Sequence, residues 1–256
     1  MNQKKFAEVD RFFRDSKTSR NKIASLTAYD YPTARLLEES GIDFILVGDS
    51  LGMVVLGHPD TTQVTLEDIE HHLKAVRGGV SSSILLADLP MGTADEVERA
   101  VLSSLRLQSA GADMVKLEGP LILQMRAIVA AGIPVMGHIG MLCQQILVEK
   151  KYQIKGKTPE EASRLLQEAH AIEEAGASAL VLELVTPWVA QQITRELAIP
   201  TIGIGSGPDC DGQILVYSDL VGLQPWFRPS FVIPKVDLAT PFKKAIRDYI
   251  QETKAA

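Results

Sequence analysis

Cysteine is almost missing: Cys143 and Cys210 are the only two in 256 residues, and they lie far apart. Neither a disulfide framework nor a CxxC zinc motif can be built from them. Basic charge is not in excess either. The formal net charge is −6, the opposite of the basic patch that accompanies non-specific nucleic-acid binding. No apolar run approaches the roughly 18 residues of a membrane span. The start, Met1-Asn2-Gln3-Lys4-Lys5, leads into charged, broken sequence rather than the apolar core of a secretory signal. These absences predict a soluble cytoplasmic protein of a reducing compartment, with no membrane or nucleic-acid partner.

What is present is an ordinary globular composition, 46% hydrophobic and 23% charged, enough for a sizeable core. The length suits a single domain over 1–256. Its organising stretch is Phe44-Ile45-Leu46-Val47-Gly48-Asp49-Ser50, an apolar run that stops on a carboxylate and a hydroxyl. A strand apolar on both faces belongs in a buried parallel sheet, and it can carry Asp49 only where the sheet ends. The pattern recurs. Ile84-Leu85-Leu86-Ala87 stops on Asp88, Met114-Val115 leads to Lys116-Leu117-Glu118, Val135-Met136-Gly137 to His138, and Leu180-Val181-Leu182 to Glu183. Acidic, basic and imidazole groups at the carboxyl ends of strands are the arrangement of an active site on an α/β scaffold.

Helix signals fall between these runs. Thr65 reads as an N-cap with Asp68 at N3, and Thr93-Ala94-Asp95-Glu96 and Thr158-Pro159-Glu160-Glu161 read as capping boxes. Gly41, Gly111, Gly132 and Gly176 each stand just past a helix and one step before a strand, where a left-handed residue is wanted. Strands are predicted over 24–29, 44–47, 83–87, 114–117, 134–137, 179–184, 201–204 and, more weakly, 214–217. About eight βα units of this kind close a (β/α)8 barrel, with an open doubly wound sheet as the alternative. Residues 1–22, polar with a patch of Phe6, Phe12 and Phe13, are expected to form a short helical extension across the bottom of the fold. Residues 143–157, which include Lys150, Lys151, Lys155 and Lys157, are the one long irregular stretch and read as part of a mobile lid. An amphipathic helix is expected over 238–250.

Asp49, Asp88 and Glu118 are hard oxygen donors on three strands, a pattern that suits magnesium, with waters and substrate oxygens completing the octahedron. Each alone could equally accept loop N–H groups or pair with an arginine. Lys116 and Glu118 are two apart and so share a strand face. A cation there suits a substrate that carries a carboxylate; a structural Lys–Glu pair and a Schiff-base lysine are the alternatives. Glu183, set between Leu182 and Leu184, is expected to lose hydration and to gain the raised pKa of a carbon-acid base, or else to be a buried glutamate bonded to a neighbouring strand. His58, His71, His72 and His170 fall in loops or helices and are expected to be solvated. Gly203-Ile204-Gly205-Ser206-Gly207 is too weak a motif for a phosphate cradle and reads as a tight turn with its backbone near the ligand. Beside a metal-assisted enzyme, a metal-free lysine aldolase and a non-catalytic barrel remain open.

The chain also closely resembles the ketopantoate hydroxymethyltransferase family, from about Ser25 to Val232. The matching segments are Leu26-Thr27-Ala28-Tyr29-Asp30-Tyr31-Pro32, Val47-Gly48-Asp49-Ser50-Leu51-Gly52-Met53-Val54, Val115-Lys116-Leu117-Glu118-Gly119, Gly132-Ile133-Pro134-Val135-Met136-Gly137-His138-Ile139-Gly140, and the run from Ile202 to Gln213. The resemblance implies a (β/α)8 barrel similar to the phosphoenolpyruvate/pyruvate superfamily. It also implies a divalent metal, normally Mg2+, 5,10-methylenetetrahydrofolate as one-carbon donor, 3-methyl-2-oxobutanoate as acceptor, and a homodecamer. By motif, Asp49 and Asp88 match metal-site aspartates and Glu118 the neighbouring acidic position. Asp49, Ser50, Asp88 and Lys116 match contacts to the oxo acid, His138 lies in the pocket segment, and Glu183 matches the proton acceptor. The sequence departs from the usual pattern in three places. Pro90-Met91-Gly92-Thr93 replaces an aromatic and a Ser-Tyr pair, Met141-Leu142-Cys143-Gln144 replaces Leu-Thr-Pro-Gln, and Leu184 stands where Cys is common.

Overall fold

The structure is a computed structural model that describes residues 3–255. The chain forms two compact units, residues 1–214 and 215–256. Helix α1 (Gln3–Ser19) precedes β1 (Ile23–Thr27), α2 (Tyr31–Glu39), β2 (Phe44–Val47), a short α3 (Leu51–Val54), α4 (Leu66–Arg77), β3 (Ile84–Asp88) and α5 (Val97–Ala110). Then follow β4 (Met114–Glu118), α6 (Ile122–Ala130), β5 (Val135–Gly140), α7 (Ile146–Glu149), α8 (Pro159–Glu174), β6 (Ala179–Glu183), α9 (Pro187–Glu196), β7 (Thr201–Ile204) and β8 (Gly212–Leu215). The eight strands close into a barrel in sequence order, each paired neighbour running parallel, as in β2 with β3 and β5 with β6. The second unit contains α10 (Tyr217–Leu220) and α11 (Ala239–Ala255).

The strands are buried on both faces, as their composition requires. Successive residues alternate in direction, so Phe44, Leu46, Leu86, Met114, Met136, Ala179, Val181, Ile202 and Ile214 join one interior cluster. Ile45, Val47, Leu85, Ala87, Val115, Leu180 and Leu182, on the opposite face, are also buried. The lower end of the interior is filled by α1: Val9 and Phe13 belong to the same cluster. Phe13 meets Phe44 edge-on, with ring centroids 5.9 Å apart, in the geometry that aromatic quadrupoles favour. The helix predicted across the barrel bottom therefore acts as its plug. At the upper end the interior-facing positions turn polar.

Gly41, Gly111, Gly132 and Gly176 take positive φ, from +78° to +119°, at the helix–strand junctions. The Thr65 box is complete. Thr158 accepts from the Glu161 N–H, while the Glu161 carboxylate turns back one residue further, to the Lys157 N–H. The box at Thr93 does not form. Its hydroxyl donates to the Pro90 carbonyl at 2.7 Å, and α5 starts only at Val97, behind an uncapped Glu96. The eighth strand is displaced two residues toward the N-terminus of its expected place, because Tyr217 begins α10. Residues 143–157 are not wholly irregular. They hold a 3-10 turn (Cys143–Gln145) and α7, pinned by Lys155, whose ammonium meets both oxygens of Glu149 at 2.5 and 2.6 Å.

Candidate active site

The last interior-facing residues of adjacent strands form one polar tier. Asp88 ends β3 in register with Lys116, Glu118 ends β4 in register with His138, and Glu183 ends β6 opposite Gly140. Asp49 follows β2 through Gly48. Deeper on the same faces lie Leu86, Met114, Met136 and Val181, so ionisable groups appear only in the last three residues of each strand or just beyond.

Hydrogen bonds join the tier. Lys116 Nζ donates to Asp88 Oδ1 at 2.6 Å, and the Asp49 N–H donates to Asp88 Oδ2 at 2.9 Å. Gln144 spans the top: Nε2 donates to Asp49 Oδ2 at 2.9 Å and to the Leu89 carbonyl at 3.0 Å. Its backbone N–H donates to Glu118 Oε2 at 3.1 Å. His138 lies between two carboxylates, with Nδ1 3.3 Å from Glu118 and Nε2 3.4 Å from Glu183. These are ion-pair distances, but neither ring nitrogen has an aligned hydrogen bond. Cys143 Sγ donates to the second Glu183 oxygen at 3.3 Å. Ser50 Oγ lies 2.8 Å from the buried Tyr29 hydroxyl. Asp49, Ser50, Asp88, Lys116, Glu118, His138 and Glu183, which the sequence singles out, thus gather at one end of the barrel.

The electrostatics are those of crowded carboxylates. Burial first, then the charges of Asp88 and Glu118, push Asp49 well above the usual carboxylate range. Burial works against the Lys116 cation, but Asp88, Asp49 and Glu118 outweigh it and hold its pKa above that of an ordinary lysine. Burial likewise opposes the His138 cation, yet the Glu118 charge and the contacts to Glu118 and Glu183 push it up to about 9. Glu118 loses hydration, but His138 and Lys116 keep it below the usual range. These are the opposed shifts that mark functional sites.

Several expectations need correction. Glu183 is not enclosed by its flanking leucines. Leu182 points to the outer face, Leu184 turns away at φ +48°, and the Glu183 side chain stays 16% exposed beside His138. Of the four histidines expected in solvent, His71 and the His170 side chain are exposed, while His58 and His72 are half-buried. His72 Nδ1 bonds the Tyr29 carbonyl at 2.6 Å, and His170 meets Glu196 at 3.1 Å. In the Gly203–Gly207 turn, the Ser206 hydroxyl accepts from the Val185 N–H and donates to the Leu182 carbonyl; it clasps β6 to β7. Cys143, Gln144 and Tyr29 were not foreseen. Their one sequence signal is a place within four residues after a strand, β1 for Tyr29 and β5 for Cys143 and Gln144.

No three His, Cys, Asp or Glu side chains among the described residues stand together as a ready metal cage. Magnesium needs no such cage; it takes one or two carboxylates and keeps waters. Buried Asp49 is crowded by Asp88 and Glu118, whose charges act on it despite the nearby Lys116, and the three supply hard oxygen donors, so the residues fit a divalent cation.

A closed parallel barrel with ionisable groups on the carboxyl ends of its strands defines a (β/α)8 enzyme. Among solved structures, 2,3-dimethylmalate lyase, a PEP mutase/isocitrate lyase superfamily member, shares this fold at a TM-score of 0.63 and 16% identity, over 96% of this chain and 87% of its own. The sequence narrows the class. Residues 9–256 match the family described as Ketopantoate hydroxymethyltransferase. The 3-methyl-2-oxobutanoate hydroxymethyltransferase of Halalkalibacterium halodurans is 46% identical over 247 residues, 95% of this chain and 88% of that protein. That of Thermus thermophilus is 47% identical over 245 residues, 94% and 93% of the two. The chain belongs to the ketopantoate hydroxymethyltransferase family and is an enzyme acting on small molecules.

Proposed function

We propose that this enzyme transfers a hydroxymethyl group from 5,10-methylenetetrahydrofolate to 3-methyl-2-oxobutanoate, giving 2-dehydropantoate in cytoplasmic pantothenate and coenzyme A synthesis, with Mg2+ as its metal. The observation that carries the reading is the pairing of a carboxylate-rich hollow (Asp49, Asp88, Glu118) with Glu183, across His138, at the open end of one barrel. Asp49 and Asp88, with Glu118 as the third acidic group, would hold the cation, which supplies charge neutralisation for the oxygens of the oxo acid.

Asp49, Ser50, Asp88, Lys116 and His138 contact the oxo acid, and the cationic Lys116 and His138 offset its carboxylate charge. Water adds to the methylene carbon as its two C–N bonds break, the water protons going to the nitrogens of the departing tetrahydrofolate, which leaves the one-carbon unit at the oxidation level of formaldehyde. Glu183 takes the proton from C3, the electron pair left there attacks that carbon, and the carbonyl oxygen takes up a proton to become the new hydroxyl. Gln144 holds Asp49 and Glu118 in place throughout. A lysine aldolase is the poorer reading: Lys116 is buried against Asp88, with its charge favoured, and a Schiff-base lysine must be a free amine.

Glu183→Gln is expected to bind the oxo acid and lose deuterium wash-in at C3; wash-in at the wild-type rate removes Glu183 from its role. Product formation is expected to stop on EDTA treatment, return with Mg2+ and require the folate. Borohydride trapping of the oxo acid on Lys116 would overturn the scheme in favour of the aldolase. We also propose a homodecamer, a reading supported by the exposed apolar residues Phe242, Ile246, Tyr249 and Ile250 of α11 and testable by sedimentation.

A further inference from the structure

We infer that Cys143 is a positioning residue for the proton-abstracting carboxylate, its thiol fixing the rotation of Glu183 by donating a hydrogen bond to it. The inference rests on the assignment of Glu183 as the base. A carboxylate at the end of a glutamate has a broad terminal torsion, and a base that turns freely spends little time aimed at C3. Here both oxygens have partners. Oε2 faces His138 Nε2 at 3.4 Å, and Oε1 receives Sγ of Cys143 at 3.3 Å.

The turn that carries the thiol is tied to Glu183 itself. Gly140 ends β5 at φ +102°, and a Cβ there would run into the Glu183 carbonyl. One residue on, the Met141 N–H donates to that same carbonyl at 2.8 Å. The backbone of Glu183 and its side chain are therefore gripped by the same three-residue span, 141–143. Among the groups that face Glu183 are His138 from β5, Cys143 from the turn and the Tyr152 hydroxyl from the loop after α7. Burial and then the charges of Glu183, Glu118 and Asp49 disfavour the thiolate, so the sulfur stays a donor. Sulfur is a weak donor. It orients the carboxylate while drawing off little of its basicity, and a hydroxyl at this place would bind the anion more strongly.

The test is deuterium wash-in at C3 by wild type, C143A, C143S and E183Q, from about pH 5 to about pH 9, with folding checked by circular dichroism and oxo-acid affinity by calorimetry. Loss of the donor in C143A is expected to lower the saturated rate about three- to tenfold while leaving oxo-acid affinity unchanged. The acid limb of its profile should move up by roughly half a unit, since a hydrogen bond to the charged form has been removed. C143S is expected to recover most of the rate and to move the limb down. The midpoints would then rank Ala above Cys above Ser, an order that packing alone does not produce. Wild-type rate and limb in C143A, or displacement of Ala and Ser in the same direction, overturns the inference. If E183Q keeps its exchange, the base assignment falls; if E183Q is dead while C143A matches wild type, only the positioning role falls.

Discussion

His138, fully buried between Glu118 and Glu183, ties stability to pH. Its folded pKa is pushed up to about 9, against roughly 6.5 for an unfolded histidine. A group whose pKa rises on folding contributes its full stability below the unfolded value and loses it as pH climbs through the folded one. In the EDTA-treated protein, the unfolding free energy from denaturant titration is expected to fall between about pH 6.5 and about pH 9, by a few kcal/mol at most. H138Q, which has no proton to lose, should be flatter over that window. The residues of the tier were legible because each interrupts an apolar run. Asp49, Asp88, Lys116, Glu118, His138 and Glu183 are the polar groups that a buried strand cannot tolerate until it ends. Cys143 and Gln144 interrupt nothing. Their direction depends on a backbone turn at Gly140, and side-chain patterning does not encode it. The surroundings of Glu183 were misjudged for a related reason: neighbours in sequence are on opposite faces of a strand.

At the level of elements, caps separate what the sequence states from what folding selects. Thr93 and Thr158 open similar tetrapeptides, yet only Thr158 caps a helix. Pro159, at the first turn with its φ already set, fixes the start of α8. After Thr93 nothing does, and its hydroxyl closes a turn on Pro90 instead. Thermal unfolding should register the difference, with Thr158→Ala costing about 1 kcal/mol and Thr93→Ala clearly less. Strand order, the junction glycines and the Thr65 box followed from local chemistry. The eighth strand did not, because Ile214, its one buried apolar residue, gives too little pattern to set its limits.

At the scale of the molecule, stability and chemistry occupy opposite ends of the barrel. Phe13 is fully buried in the lower cluster, and truncation to alanine there leaves a cavity. Phe13→Ala is expected to cost about 3–5 kcal/mol and to lower the melting temperature, while kcat measured well below the new midpoint stays within about twofold of wild type. A large fall in kcat in a fully folded sample would show that the two ends are linked. The stopper of Val9 and Phe13 also sets the traffic. A well with a sealed floor has one doorway, so whatever reacts at its base must go in before anything that stands above it. On the proposed reaction the small acid is expected to enter before its one-carbon donor and to leave, lengthened, after it; product-inhibition patterns that show the reverse order would count against this.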